Sequence, residues 1–197
     1  MAVKTRREEY AEQTRRAIVD AASVAFVRDG FEGASIDDIA SAARVTKGAV
    51  YHHFASKADL FLAVFREAEE EMMRVMGERA RQVADPWERA LASLSAFFDI
   101  CLEDRFRRIA LQEGPLALGW ERWRELDEQY ALGGLRRTLE QLMERGLLAK
   151  RNPDILARVM LAALSEAAIA IAAADDRIEA RQQAETAVVA MLSGLRS

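Results

Sequence analysis

Three helix-start signals follow one another between residues 35 and 60, and this is the feature that most constrains the fold. Ser35 with Asp38 three residues later forms a capping box, Thr46 is a second N-cap, and Ser56 with Asp59 forms another capping box. Apolar residues at helical spacing follow each signal. The stretch therefore predicts two short helices joined by a tight turn, with a third helix that braces them.

Two short helices of this kind usually form a helix-turn-helix, a unit that binds DNA. The second helix of such a unit lies in the major groove, where its first turns contact base edges. Lys47 is placed to donate to guanine O6 or N7, and the methyl group of Ala49 to contact a thymine methyl group. Gly48, between them, permits close approach of the backbone.

The stretch from Phe31 to Leu60 resembles the DNA-binding domain of the TetR family of transcriptional repressors. The matching positions are Ser35, Ile39-Ala40, Ala43, Val45-Thr46, Gly48, Tyr51, Phe54, Ser56-Lys57 and Leu60. The likeness is close from about Arg15 to Phe65 and is one of helix layout beyond that. Arg44 departs from the pattern, since the family usually has Gly there. We expect either an adjusted turn or a contact between Arg44 and DNA.

The resemblance implies a set of DNA-binding residues. These are Ser35, Arg44, Thr46, Lys47, Gly48, Ala49, Tyr51, His52 and Lys57. Thr46, Tyr51, His52 and Lys57 are similar to the family's DNA-backbone contacts, which fix position more than sequence. His53 is expected to pack behind this surface. A metal site shared with His52 is not expected, because adjacent helical residues point about 100° apart.

The remaining pattern predicts an all-α chain of about nine helices, without an alternating strand pattern of useful length. The first helix should run from Arg7 to Asp29 and end at Gly30. Later helices should begin after Asp85, Asn152 and Asp176, and Gly114-Pro115 should break one segment. We divide the chain into a DNA-binding domain, residues 1–56, and a ligand-binding and dimerisation domain, residues 57–197.

Composition and charge limit where the protein acts and what it binds. The 197 residues carry a net charge of −4, which argues against indiscriminate nucleic-acid binding. A local basic cluster is nevertheless available in Arg6, Arg7, Arg15, Arg16, Arg44, Lys47 and Lys57. The single Cys101 suits a reducing compartment, and we expect no signal peptide and no membrane span. A cytoplasmic protein is predicted.

The family resemblance also implies a ligand cavity in the second domain. Its predicted lining is Met72, Met76, Phe97, Phe98, Cys101, Phe106, Glu113, Trp120, Trp123 and Met143, with Arg105 and Gln112 as further polar contributors. Taken singly, each aromatic or methionine is better explained as a core residue than as a ligand contact, and Cys101 as a buried inert thiol rather than a nucleophile. The acidic run Glu67, Glu69, Glu70 and Glu71 is interpreted as a solvated helix face.

The last two long helices are expected to form a homodimer interface. The first presents Leu156, Val159, Ala163, Ala167 and Ala170, and the second presents Ala187, Val188, Met191 and Leu195. The alternative is that these faces only close the chain's own core.

The leading hypothesis is a dimeric repressor that binds a palindromic double-stranded operator and is released by a small apolar molecule. A DNA-binding activator or architectural protein without ligand control is the first alternative. A helical enzyme or interaction module is the second. No catalytic set, phosphate loop, metal site or cofactor motif is recognised, so an enzyme is not expected.

Overall fold

The computed structural model describes residues 6–196, with the exception of the Arg7 side chain, and this part of the chain is all α-helical. It contains nine helices: α1 (Arg6–Gly33), α2 (Ile36–Ala42), α3 (Lys47–His53), α4 (Lys57–Arg81), α5 (Pro86–Ile100), α6, α7 (Trp120–Glu144), α8 (Pro153–Ala173) and α9 (Arg177–Ser193). Helix α6, residues 104–118, has a π-helical middle, Arg107–Glu113, between α-helical ends, Asp104–Phe106 and Gly114–Leu118. The all-α prediction is confirmed.

Side-chain caps begin the helices where the sequence predicted them. Ser35 and Thr46 each accept a hydrogen bond from a first-turn backbone N–H at 3.1 Å, and Ser56 does so at 3.0 Å. Asp85, Asn152 and Asp176 have the same role at the starts of α5, α8 and α9. Each cap satisfies an N–H group that the helix itself cannot pair.

Gly30 ends the regular part of α1, as predicted, and allows another residue to approach. Its φ of 73° lies in the left-handed region, after which the chain makes one more turn to Gly33. A Cβ atom on Gly30 would lie 2.9 Å from Oε1 of Glu113. A side chain here would therefore be strained and would also displace α6 from the end of α1.

The predicted break at Gly114-Pro115 is wrong, because α6 continues through it to Leu118 and ends at Gly119, whose φ is 80°. Pro115 has no N–H to donate to Leu111, so regular α-helical bonding is interrupted at this point in any case. The π-helical turn lies directly before that interruption. Gly114 is required by packing, since a Cβ there would lie 2.9 Å from the Trp123 ring.

One continuous core joins the helices. Helices α1 to α3 enclose Ile18, Phe26 and Ile39, and α4 adds Phe61, whose ring meets that of Phe26 edge-on at 5.1 Å between centroids. Beyond this region α4 packs along α5, α8 lies against α7 and α9, and α9 packs on α5. Because α4 belongs to both regions, the domain boundary at residues 56 and 57 stays a prediction.

Helix α8 is the one described helix whose length and apolar composition would suffice to cross a membrane. Ala157, Met160 and Ile171 on one face are buried against the core, whereas Ile155 and Val159 are more than half exposed. Its apolar residues are thus divided between a buried face and an exposed one.

Candidate nucleic-acid interface and internal cavity

Helices α2 and α3 are joined by a turn that places an arginine in the left-handed region. Arg44 has a φ of 56° and is the only described non-glycine residue with positive φ. This conformation costs an L-residue about 1–2 kcal/mol relative to a relaxed backbone. The turn therefore keeps the geometry that Gly would favour, and the exposed Arg44 side chain is held at its tip.

Lys47, the first residue of α3, is held by α2. Its ammonium group donates to Oδ2 of Asp37 at 2.9 Å, and both side chains are more than half exposed. The hydrogen bond and the charge of Asp37 raise the pKa of Lys47, so the lysine is cationic at neutral pH. DNA would have to replace Asp37 as the partner of Lys47, or share the ammonium with it.

The rest of the predicted contact surface lies along the exposed side of α3. Gly48, Tyr51 and His52 are exposed and Ala49 is half-buried. Nothing outside its own turn comes closer than 3.8 Å to a Cβ built on Gly48, so the backbone is open to a close partner. His53 is half-buried, and burial lowers its pKa, which favours the neutral imidazole behind this surface.

Lys57 has a structural role that the sequence analysis missed. Its ammonium group donates to the carbonyl oxygens of Glu32 at 3.2 Å and Ala34 at 3.3 Å. It also lies 4.7 Å from the centre of the Phe31 ring. Lys57 thus ties the first turn of α4 to the end of α1, and replacing it would disturb the fold as well as any phosphate contact.

Several arginines of α1 are exposed, and one of them is placed beside α3. Arg6, Arg15 and Arg16 are exposed, and the guanidinium of Arg15 lies 5.0 Å from the centre of the Phe54 ring beside α3. Arg7 was predicted as part of the same cluster, but its side chain lies outside the described residues.

A cavity of about 290 Å³ lies among helices α4 to α9. Its wall is mostly aliphatic, aromatic and methionine side chains, with Glu69, Ser93, Asp127, Thr138 and Ser165 as polar members. Ligand pockets are typically mostly apolar with a few polar groups that orient the ligand. The cavity has this composition, and its volume suits a small ligand.

Half of the ligand-binding residues predicted from the sequence line this cavity. They are Met72, Met76, Phe97, Phe106 and Trp123. Phe98, Cys101 and Met143 are instead buried in the surrounding core, and Trp120 is about half exposed beside Trp123. Glu113 points to α1, where it accepts from the backbone N–H of Phe31 at 2.8 Å.

The interpretation of Glu69 as part of a solvated face is wrong. Its side chain is 3% exposed, it lines the cavity, and its Oε2 atom has no hydrogen-bond partner. Burial, followed by the charge of Asp127, raises the pKa of Glu69 to about 8. The signal was available, because Phe65, Glu69, Met72 and Met76 recur at helical spacing on one stripe of α4.

Asp127 and Ser165 also line the cavity and were not predicted. The Ser165 hydroxyl, on α8, donates to Oδ2 of Asp127, on α7, at 2.7 Å. Burial raises the pKa of Asp127, although this hydrogen bond acts in the opposite direction. The cavity therefore contains two carboxyl groups, and within the described part of the chain no group of three or more metal-ligating side chains is present.

Comparison with known families accounts for both halves of this architecture. Residues 87–195 match the family model described as the tetracyclin repressor-like C-terminal domain, which is more than half of the chain. Residues 18–64 match that of bacterial regulatory proteins of the tetR family. The chain belongs to the TetR family. It is a helix-turn-helix transcriptional regulator and not an enzyme, like the relatives that it matches.

Individual relatives support this assignment over different lengths. The transposon Tn10 TetC protein of Escherichia coli is 25% identical over 157 residues, 80% of this chain and 79% of that protein. The transcriptional activator FasR of Mycolicibacterium smegmatis is 34% identical over 93 residues, 47% of this chain and 42% of FasR. A solved TetR-family regulator from Pectobacterium atrosepticum is 28% identical, with a TM-score of 0.85 over 98% of each chain.

The raised pKa of Glu69 makes stability depend on pH. The folded protein keeps a proton on Glu69 up to about pH 8, whereas an exposed glutamate releases it near pH 4.5. Any stability that this group contributes is therefore present below about pH 4.5 and is lost as pH rises towards 8, by up to a few kcal/mol. We expect Glu69→Gln to remove this loss.

Urea unfolding of the wild type and the Glu69→Gln variant from pH 5 to pH 9 measures the difference. The free energy of unfolding of the variant should increase relative to that of the wild type as pH rises, and the difference should become constant above pH 8. Asp127, Tyr130 and Cys101 interact electrostatically with Glu69 and are present in both proteins, so the difference reports the ionisation of residue 69 together with its effect on these three groups. Parallel stability curves would show that Glu69 titrates normally.

Proposed function

We propose that this TetR-family regulator is a repressor that binds a palindromic operator as a homodimer and releases it when a small, mostly apolar molecule enters the cavity. The position of α4 supports this proposal, because the helix contacts both the end of α1 and the cavity. Its first turn holds the end of α1 through Lys57, and its middle lines the cavity through Met72 and Met76. A ligand that displaces one end of this helix therefore acts on the other. The site of action is the cytoplasm, where the DNA is.

DNA recognition is assigned to the exposed side of α3 in the major groove. Lys47 and Ala49 would contact base edges, and Ser35, Thr46, Tyr51, His52 and Lys57 the sugar-phosphate backbone. Arg44 lies at the tip of the turn that precedes α3, and Gly48 leaves its first turn open.

A second connection from the cavity to the DNA-binding helices runs through the π-helical turn of α6. Trp123 lines the cavity and donates through Nε1 to the carbonyl of Ala110 at 2.8 Å. Three residues later, Glu113 accepts from Phe31 N–H and pairs with Arg108 at 3.1 Å. A ligand that moves Trp123 would thus move the end of α1 as well.

The exposed apolar residues on α8 and α9 support a homodimer. Ile155 and Val159 on α8 are 61% and 54% exposed, and Met191 on α9 is 49% exposed. Ala162, Ala170, Ala187 and Ala190 are exposed at helical spacing on the same two helices. Two helices from each chain would form a four-helix interface and place two copies of α3 about 34–36 Å apart.

One residue of the interface predicted from the sequence, Val188, is placed on the wrong face. Val188 is 4% exposed and lines the cavity, so it faces the chain's own interior. Leu156, Ala167 and Leu195 are half-buried and pack on the core, and Ala163 is also half-buried. Val159, Ala170, Ala187 and Met191 remain as members of the exposed face.

Replacement of Val159 by Glu tests dimerisation and operator binding together. An unpaired carboxylate in an apolar interface is strongly unfavourable, so the variant should be a monomer at micromolar concentration. The wild type should have twice the 22.0 kDa of one chain by light scattering. An operator obtained by selection from random DNA should have inverted half-sites, and the variant should lose it.

Leu116→Glu is the matched control, because Leu116 is 78% exposed on α6, outside both interface helices. It should leave mass and operator binding unchanged. A monomeric wild type, or selected DNA without inverted half-sites, would contradict the proposal.

Transcription in vitro from a promoter that carries the operator should fall on addition of protein. A rise would make the protein an activator, as FasR is named.

Lys47→Ala should weaken binding to the selected operator by about 1–3 kcal/mol, because a base contact is lost. Binding to random DNA should change less. Asp37→Asn is the matched control: it removes the competing partner of Lys47 and a negative charge near DNA, so affinity should hold or rise. Fluorescence anisotropy measures the DNA affinity of the wild type and of both variants. An equal loss on every sequence would make Lys47 a phosphate contact instead.

A further inference from the structure

The titratable groups that line the cavity are both carboxylic acids. Glu69 and Asp127 are its titratable members, accompanied by the hydroxyls of Ser93, Thr138 and Ser165. Among the described residues that line it there is no Lys, Arg or His. A ligand that enters the cavity therefore meets acceptors and acids but no protein cation.

Glu69 lacks a partner that the surrounding helices could have supplied. It is 3% exposed and its Oε2 atom receives no hydrogen bond, whereas Asp127 receives one from Ser165 at 2.7 Å. A buried carboxylate without a cation is costly, and removal of the charge by protonation is the usual response. The pKa of about 8 follows from this, so in the empty cavity Glu69 is mostly neutral at pH 7.

We propose that the effector is a lipophilic amine whose ammonium group binds at Glu69 beside Asp127 and whose apolar part fills the rest of the cavity. This inference rests on the proposed function and specifies the ligand of the same cavity. The ammonium supplies the hydrogen-bond donors that Glu69 Oε2 lacks and the positive charge that two neighbouring carboxyl groups require. Methionine, leucine and aromatic side chains around them accept the apolar part.

The aromatic members of the wall favour a cation further. Phe97, Phe106 and Trp123 all line the cavity, and the faces of such rings attract an ammonium group. A fatty acid would instead bring a third carboxyl group beside Glu69 and Asp127, with no protein cation to bind it. An uncharged alcohol could donate one hydrogen bond to Glu69 but would bring no positive charge to the two acids.

Binding of an ammonium group is linked to the release of a proton. The cation favours ionised Glu69, so affinity for an amine should rise with pH until Glu69 is ionised in the empty protein. Asp127 and Tyr130 on α7 and Cys101 at the end of α5 also face Glu69. Burial raises the pKa of both Tyr130 and Cys101, so neither adds a negative charge in this range.

Three probes with the same ten-carbon chain separate the head groups: decylamine, 1-decanol and decanoate. Isothermal titration calorimetry at pH 7.5 should give decylamine a Kd at least tenfold below that of decanol, with decanoate weakest. Decylamine should also release the selected operator in fluorescence anisotropy. Its Kd should fall several-fold between pH 6.5 and pH 8, with proton release detectable from buffers of different ionisation enthalpy.

Glu69→Gln should raise the Kd for decylamine at least tenfold and abolish its pH dependence, while the Kd for decanol changes less than threefold. The matched control is Glu70→Gln, since Glu70 is the exposed neighbour on α4 and lies outside the cavity wall. It should bind decylamine as the wild type does.

Tighter binding of decanol or decanoate would overturn the amine assignment, and would leave the proposed function standing if that probe releases the operator. Decylamine binding that survives Glu69→Gln would overturn it as well. Failure of all three probes to bind a protein that still binds its operator would also reject the amine. Failure to select any operator would instead reject the proposed function.

Discussion

The end of α1 is a junction at which side chains of α4 and α6 both bind backbone groups. Gly30 turns the chain with a φ of 73°, and this leaves the N–H of Phe31 directed at Glu113 of α6. Lys57 of α4 binds the carbonyl oxygens just beyond. Helices α4 and α6 both line the cavity, and both contact the same turn at the end of α1. The position of α3 relative to the cavity is set there, by hydrogen bonds to backbone groups that have few alternative partners.

The cavity contains a buried acidic side chain that is unfavourable for stability. A well-packed interior would place an apolar side chain at residue 69, yet α4 carries a glutamate there with one oxygen unpaired. Structural ion pairs are made elsewhere in the chain, as between Arg181 and Asp99 at 2.7 Å. Glu69 lacks such a partner although a second carboxyl group is near, and the proposed amine would supply the positive charge that the chain does not. Sites of this kind retain unfavourable groups because function requires them.

The helix starts could be predicted because capping depends on residues close together in sequence. The roles of Glu113, Glu69 and Val188 depend on contacts between distant parts of the chain and were not predicted. Ser35, Thr46 and Ser56 cap helices within three residues of themselves, so sequence spacing sufficed for the helix-turn-helix and its brace. The role of Glu113 depends on a residue 82 positions away, and no local pattern encodes it. Glu69 was misread because its acidic neighbours outweighed its position on an apolar stripe. Val188 was assigned to the wrong face because helical spacing cannot tell which apolar stripe meets the chain's own core.

We propose that occupation of the cavity changes the distance between the two α3 helices of the dimer. Double electron–electron resonance measures the distance between spin labels attached to the two chains of the Ala55→Cys dimer. Ala55 is exposed between α3 and α4, whereas Cys101 is fully buried and stays unlabelled. We expect one distance distribution for the dimer bound to its operator and a shifted distribution with saturating decylamine. An unchanged distribution, with decylamine bound and the operator released, would contradict it.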